Sequence, residues 1–251
     1  MDISSQNFEK KQEYLKENEE LECISLHILH DVEADTIIET SQLLIDGTTD
    51  IYSSQFSRTA KINKHRGTLR CHEAEINILD GGEVHATHVH IHNCLSGTIY
   101  AQDVIIESVE ENLTVFASNS ITVNLINGSH NTFAIDYKNV PILNSKLELI
   151  QHDINRLMNE LEEAKKHNHS IVSKISAKIE KFEQDKTSIL ESYKIAKITL
   201  NGVVNENNKV IFTVNNTILE YLTSQQVYTP FYISTDNNTI TLQPTTTKTK
   251  F

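Results

Sequence analysis

Four of the twelve histidines fall within one short stretch, His85-Ala86-Thr87-His88-Val89-His90-Ile91-His92. Alternate side chains of an extended strand share a face, so His88, His90 and His92 point one way while Val89 and Ile91 point the other. Outward imidazoles over a buried aliphatic pair can hold a metal if carboxylates stand beside them. A 15-residue repeat, derived below, places Glu73 and Asp103 on either side of His88, Glu75 beside His90, and Asn77 and Glu107 on either side of His92. Imidazole with carboxylate suits Zn²⁺ or Ni²⁺. His88, His90, Glu75 and Asp103 are the candidate metal ligands. The competing expectation is a hydrated ladder in which each pair adds roughly a few tenths of a kcal/mol.

The other reactive side chains point away from catalysis. Cys23, Cys71 and Cys94 form no Cys-x-x-Cys pair, which fits neither a disulfide framework nor a zinc site. Under the same repeat Cys71 aligns with Ala86 and Cys94 with Leu79, positions where a thiol is a core residue. His27, His30, His167 and His169 lie in turn-like or strand-edge sequence. The chain contains no Gly-x-Gly-x-x-Gly, no Gly-Lys-Ser/Thr, no Gly-x-Ser-x-Gly and no His-Glu-x-x-His, the usual markers of phosphate binding and hydrolysis. Asp80-Gly81-Gly82 reads as a corner of the repeat. The expectation is a protein that is not an enzyme, with no catalytic and no organic-cofactor residues.

The elements that must position the histidines repeat. Leu69-Arg70-Cys71, Val84-His85-Ala86, Ile99-Tyr100-Ala101 and Val115-Phe116-Ala117 share one form, aliphatic-x-small, in which the spacings of the small residue are 15, 15 and 16. Each is followed by an apolar pair: Ala74 and Ile76, Val89 and Ile91, Val104 and Ile106, Ile121 and Val123. Val32-Glu33-Ala34 with Ile37 reads as an earlier copy. A unit this short cannot bury its own apolar face, so neighbours must stack and share a core, as in a β-solenoid. With 7 glycines and 3 prolines in the chain, Asn and Asp must supply many of the turns.

Around this array the chain divides further. Residues 1–22 are highly charged, with Phe8, Leu15 and Leu21 as a weak apolar stripe, and suit a short surface helix. The solenoid is expected over 23–143 in six or seven coils. From 144 to 196 the period becomes helical: Leu147, Ile150, Ile154, Leu157, Leu161 and Ala164 step by 3 and 4. After His167-Asn168-His169-Ser170, Ile171, Ile175, Ile179, Phe182, Ile189, Tyr193 and Ala196 resume that rhythm. Two such seams across a turn describe an antiparallel coiled-coil hairpin. Residues 197–243 return to β alternation, and 244–251 read as a disordered tail.

Composition excludes several classes. A balance of 34 acidic against 22 basic residues leaves a charge of −12, the wrong sign for a nucleic-acid surface. Apolar runs such as Leu43-Leu44-Ile45 fall far short of the roughly 20 residues of a membrane helix, and the N-terminus carries no apolar signal segment. The expected setting is cytoplasmic, without membrane insertion. A hydrophobic share of 38% supports a packed core and rules out disorder throughout.

The order of parts and three stretches of sequence resemble the FapA family, flagellar assembly protein A. The coil motif is Val84-x-Ala86-x-x-Val89-x-Ile91 and Ile99-x-Ala101-x-x-Val104-x-Ile106. An exit from the coils is Ile126-Asn127-Gly128-Ser129 with Thr132. The closing segment is Ala196-Lys197-Ile198-Thr199-Leu200-Asn201-Gly202-Val203-Val204, followed by Val210-Ile211-Phe212-Thr213-Val214-Asn215-Asn216. The resemblance spans roughly residues 30–243. The coils are poorer in glycine than the family's, Asn205-Glu206-Asn207-Asn208 replaces its Pro-Gly turn, and a short charged segment stands where long members carry a larger domain.

The resemblance implies a right-handed parallel β-helix with an inserted antiparallel coiled-coil hairpin and a C-terminal β segment. It also implies a non-enzymatic bacterial scaffold or adaptor, whose partners are proteins of flagellar assembly or polar localisation. Two other readings stand beside it: a Zn²⁺ or Ni²⁺ sensor using the His-rich strand, and a self-assembling homo-oligomer similar to the bactofilins.

Overall fold

The structure, a computed structural model, describes residues 8–167, 169–192, 196–214, 217–224, 231–236 and 239–244. Strands β1 (Lys10–Gln12), β2 (Glu20–Ile28), β3 (Ile37–Thr48), β4 (Ser54–His65), β5 (Thr68–Arg70), β6 (Glu73–His85), β7 (His88–Val109), β8 (Leu113–Ile126) and β9 (Thr132–Ile135) follow one another. Every pairing among them is parallel. Glu20 pairs with Ile37, Thr59 with Glu73, Glu73 with His88 and Thr114 with Thr132. Parallel neighbours so close in sequence require the chain to wind, and it forms a β-solenoid of about seven turns.

The core is a set of ladders running along the rod. One is Ile28, Ile45, Ile62, Ile76, Ile91, Ile106, Val123 and Leu200, each no more than 1% exposed. Burying such a side chain contributes about 1.5–3 kcal/mol. The aliphatic-x-small motif marks a second ladder, and its earlier copies are Leu21-Glu22-Cys23, Ile38-Glu39-Thr40 and Gln55-Phe56-Ser57. Val32-Glu33-Ala34 is out of phase. Val32 bridges Leu15 and Thr49, and Ile38 turns inward while Ile37 stays exposed. The cause is a longer coil, seen in the pairings Glu20↔Ile37 and Ile37↔Ser54, which displaces the 15-residue frame. Outside, Phe56, Arg70, His85, Tyr100 and Phe116 stack in register, with ring centroids 4.7 Å apart for His85–Tyr100 and 5.4 Å for Tyr100–Phe116.

Residues 8–22 are not a helix. They form β1 and a bridge at Leu15, which is buried, with Leu15 N donating to Asp31 O and His30 N donating to Glu13 O. The next coil offers unpaired backbone groups and an apolar seat, and these outweigh a weak helical stripe. The solenoid therefore starts ahead of residue 23.

Its exit also differs from expectation. After Ile126-Asn127-Gly128-Ser129 the chain makes another pass, β9, and leaves only beyond Ile135. A single 3-10 turn at Tyr137–Asn139, capped by the Asp136 carboxylate accepting from Lys138 N, leads into helix α1 (Pro141–His167). Proline suits the first helical position because its missing N–H would have no partner there. Helix α2 (His169–Ser192) follows.

In α1, Leu143, Leu147, Ile154 and Leu157 are buried, with Ile150 and Leu161 half-buried between and beyond them; in α2 the shielded positions are Val172, Ile175, Ile179, Phe182, Lys186, Ile189 and Leu190. Val172 takes the place expected of Ile171, which is exposed. Lys186 Nζ donates to Gln151 Oε1 at 2.5 Å, tying the helices together. Tyr193 and residues 245–251 of the expected tail lie outside the described residues, and Ala196 is buried in the solenoid core rather than in a helical seam.

The chain then resumes where it left. Strand β10 (Lys197–Leu200) pairs parallel with β8, Ser120↔Lys197, and β11 (Lys209–Val214) pairs parallel with β9, Thr132↔Lys209. Both pairings make the same 77-residue step, so the two helices are spliced into one coil without altering its register. Asn208 secures the splice: its Oδ1 accepts from Asn131 N and Nδ2, and its Nδ2 donates to Gly128 O and Asn205 O. Three antiparallel strands end the stack. They are β12 (Thr217–Leu222) on β11, β13 (Phe231–Asp236) on β10, and β14 (Thr239–Pro244) on β13. Among the described residues no helix is long and apolar enough to cross a membrane.

A polar island interrupts the aliphatic interior. Gln55 occupies a core ladder and donates to Ser53 Oγ, while His65, fully buried, sits with Nδ1 2.9 Å from Thr49 Oγ1. Thr49 Oγ1 also accepts from Arg66 N. Gly82 makes room for the ring, since a Cβ there would lie 2.8 Å from His65 Cδ2. Burial pulls the His65 pKa down to about 4, against an opposing pull from the Glu83 and Gly67 backbone.

Candidate functional site

The His-rich segment opens β7, and its inner side chains fix it. Val89 and Ile91 are buried over Ala74 and Ile76, which holds His88, His90 and His92 outward, about half exposed. Glu73 stands directly opposite His88 and Glu75 opposite His90. Asp103 N donating to Thr87 O and Glu110 N donating to Cys94 O continue the same register to the next coil, setting Asp103 over His88 and Glu107 over His92. This agrees with the 15-residue frame.

Side chains within that frame pair diagonally. His88 Nδ1 lies 3.3 Å from Asp103 Oδ2, the straight partner, and 5.8 Å separates its ring centroid from that of His72. His90 Nε2 instead reaches Glu107 Oε1 at 3.1 Å, and His92 Nε2 faces Glu75 Oε1 at 3.8 Å. Diagonal neighbours on a sheet are within reach of long side chains. The His90 and His92 rings are 4.6 Å apart, centroid to centroid, tilted by 50°.

Four neighbours orient the carboxylates. Asn124 Nδ2 donates to Glu107 Oε2 at 2.6 Å, Asn119 and Ser120 both donate to Asp103 Oδ1, and Lys61 Nζ lies 2.7 Å from Glu75 Oε1. The hydrogen bond from Lys61 holds the Glu75 carboxyl below the usual range, aided by the charges of Lys61, His92 and His90. Glu107 is lowered by its bond from Asn124 and then by His90. Above them lies an open groove of about 360 Å³ lined by Glu73, Glu75, His88, His90 and Asp103.

Of the sequence-derived set, His88 and Asp103 meet, and Glu75 and His90 face one another in register. The four do not close around a single point, because Glu75 turns to Lys61 and His92. Among the described residues no three His, Cys, Asp or Glu side chains converge as a ready metal centre. Glu107 and His92, outside that set, supply the missing contacts; the signal for them was the i, i+2 spacing combined with diagonal reach. Elsewhere His27 pairs with Asp46 at 2.7 Å and His30 stacks on Tyr14. Cys71 and Cys94 are buried, and burial pushes both thiols up to about 12, where almost no thiolate exists to act as a nucleophile.

Fold and site together define a parallel β-solenoid with a histidine–carboxylate face. Compared with protein-family models, with curated proteins and with solved structures, the chain matches none.

Proposed function

We propose that the protein is a non-enzymatic scaffold that binds other proteins, the solenoid serving as a rigid body and the helix pair as a docking arm. The observation that carries this reading is the splice: a pair of helices enters one coil, and parallel pairing resumes on both strands at the same 77-residue step. The coil register is the same on both sides of the helices, which leaves them free to serve another role. Their shielded positions follow a 3,4 rhythm, and Lys186 meets Gln151, which supports an antiparallel coiled-coil hairpin, a form suited to presenting a surface to a partner helix. Flagellar assembly or polar organisation as the process served, and a right-handed winding, follow from the FapA resemblance alone.

The test replaces residues 141–192 with a short Gly-Ser linker in the full chain. The expected variant keeps the β circular dichroism spectrum and melting temperature, yet fails to restore flagellar number and placement in a host lacking the gene. Full restoration by the helix-free variant, or unchanged flagella on deleting the gene, refutes the corresponding part of the reading.

A further inference from the structure

We propose that His90 and His92, with Glu107 and Glu75 from the coils on either side, form a binding site for a divalent first-row transition-metal ion, with Zn²⁺ as the best fit. The site differs from the straight His88–Asp103 pairing and is independent of the helix pair.

Geometry carries the argument. Two imidazoles bound through Nε2 to one tetrahedral zinc, at about 2.05 Å, place their ring centroids roughly 5 Å apart. The His90 and His92 rings already stand 4.6 Å apart. The edge between two donor atoms of such a tetrahedron is about 3.3 Å. His90 Nε2 and Glu107 Oε1 are separated by 3.1 Å, and His92 Nε2 and Glu75 Oε1 by 3.8 Å. Glu75 stands opposite His90 on one side and Glu107 over His92 on the other, so all four groups share one neighbourhood. In the proposed site, side-chain rotation over a fixed strand brings the His90–Glu107 hydrogen bond and the longer His92–Glu75 ion pair together as one ligand set.

The surroundings favour this. Val89 and Ile91 lock the strand from inside, so the His-x-His pair is held in place before an ion arrives. Asn124 occupies Glu107 Oε2 and leaves Oε1 facing His90, the type of outer contact that orients a metal-binding carboxylate. Lys61 competes for Glu75, which makes Glu75 the weakest of the four. The side chains are 40–45% exposed, leaving room for water as a further ligand. A charge of −12 draws cations to the surface. Around His88 the imidazoles stand farther apart: its ring and that of His72 are 5.8 Å from centroid to centroid, His88 meeting Asp103 at 3.3 Å and His72 meeting Glu73 at 3.7 Å.

The test uses the tag-free full chain, stripped with chelator, titrated with Zn²⁺ by calorimetry and with Co²⁺ by visible absorption. One Zn²⁺ is expected per chain, with Co²⁺ giving four- or five-coordinate bands that one equivalent of Zn²⁺ removes. His90→Ala and His92→Ala each weaken binding about 30-fold or more, Glu107→Gln about 10-fold, and His88→Ala less than about 3-fold, in line with the losses typical of ligands and their supports. Circular dichroism confirms that each surface variant folds. Equal weakening by His88→Ala, a six-coordinate Co²⁺ spectrum that survives His90→Ala, or several non-saturating ions per chain overturns the proposal and leaves only general attraction to an acidic surface.

Discussion

Replacing His65 by Asn should change how stability depends on pH more than it changes the fold. Asn keeps a polar side chain near Thr49 and cannot ionise. In the folded chain the His65 pKa is held at about 4 by burial, against an ordinary 6.5. Above about pH 6.5 neither folded nor unfolded chain protonates this ring, and it adds no pH dependence. Between about 6.5 and 4 the unfolded chain takes up a proton that the folded chain refuses, so stability falls as pH falls; below about 4 both are protonated and the loss is complete. The gap corresponds to about 3 kcal/mol at about 1.4 kcal/mol per pH unit. Urea unfolding, followed by circular dichroism at about pH 7.5 and about pH 4.5, measures it in both proteins, with carboxylate effects cancelling in the difference. The Asn variant is less stable at the higher pH, and the difference narrows by about 2.5 kcal/mol at the lower. Parallel pH curves refute a buried, neutral His65.

Gly97→Ala should destabilise by about 2 kcal/mol or more, because φ is +138° and a Cβ would lie 2.7 Å from Gly82 O; an unchanged melting temperature contradicts this. Asn208→Ala should cost about 2–4 kcal/mol by stripping buried partners across the splice, with faster amide exchange in β9 and β11; loss below about 0.5 kcal/mol counts against the role assigned to it. A thiol reagent at about pH 8 should label half-buried Cys23 well before Cys71 or Cys94, whose thiols burial holds near 12, and all three on unfolding. Native labelling of Cys94 at the Cys23 rate contradicts its burial.

The solenoid was legible where the coils keep a near-constant length and carry clean aliphatic residues, as from Leu69 to Ala117. It was hidden upstream, where longer coils shift the frame and Gln55 stands in a core ladder. The first coil was unreadable because Lys10, Lys11 and their neighbours carry no alternation; only a stacked neighbour makes them a strand. Most positions of the expected helical stripes are shielded, but Val172 replaces Ile171 and Ala196 packs in the solenoid core, because steps of 3 and 4 mark a face and not where the helix stops. At the site, the strand register came from spacing alone, whereas Glu107 to His90 and Glu75 to His92 depend on side-chain reach, which spacing does not encode.

The 77-residue step also sets an order of events during synthesis. Up to β9, each coil finds its neighbour within a single turn of the chain, so each can zip onto the last as it emerges. The strands that cover β8 and β9 come only after the helices have been made. At roughly 5–20 residues per second, that step is a wait of about 4–15 s. The distance itself is a minor obstacle, since closing a loop of this length rather than a coil's costs only about 1.4 kcal/mol more. The hazard is the delay, during which a growing rod presents a bare edge on which another nascent copy could pair. Two helices that fold on a far shorter timescale shorten the search once they emerge, and so narrow the interval in which the rod could grow from the wrong chain.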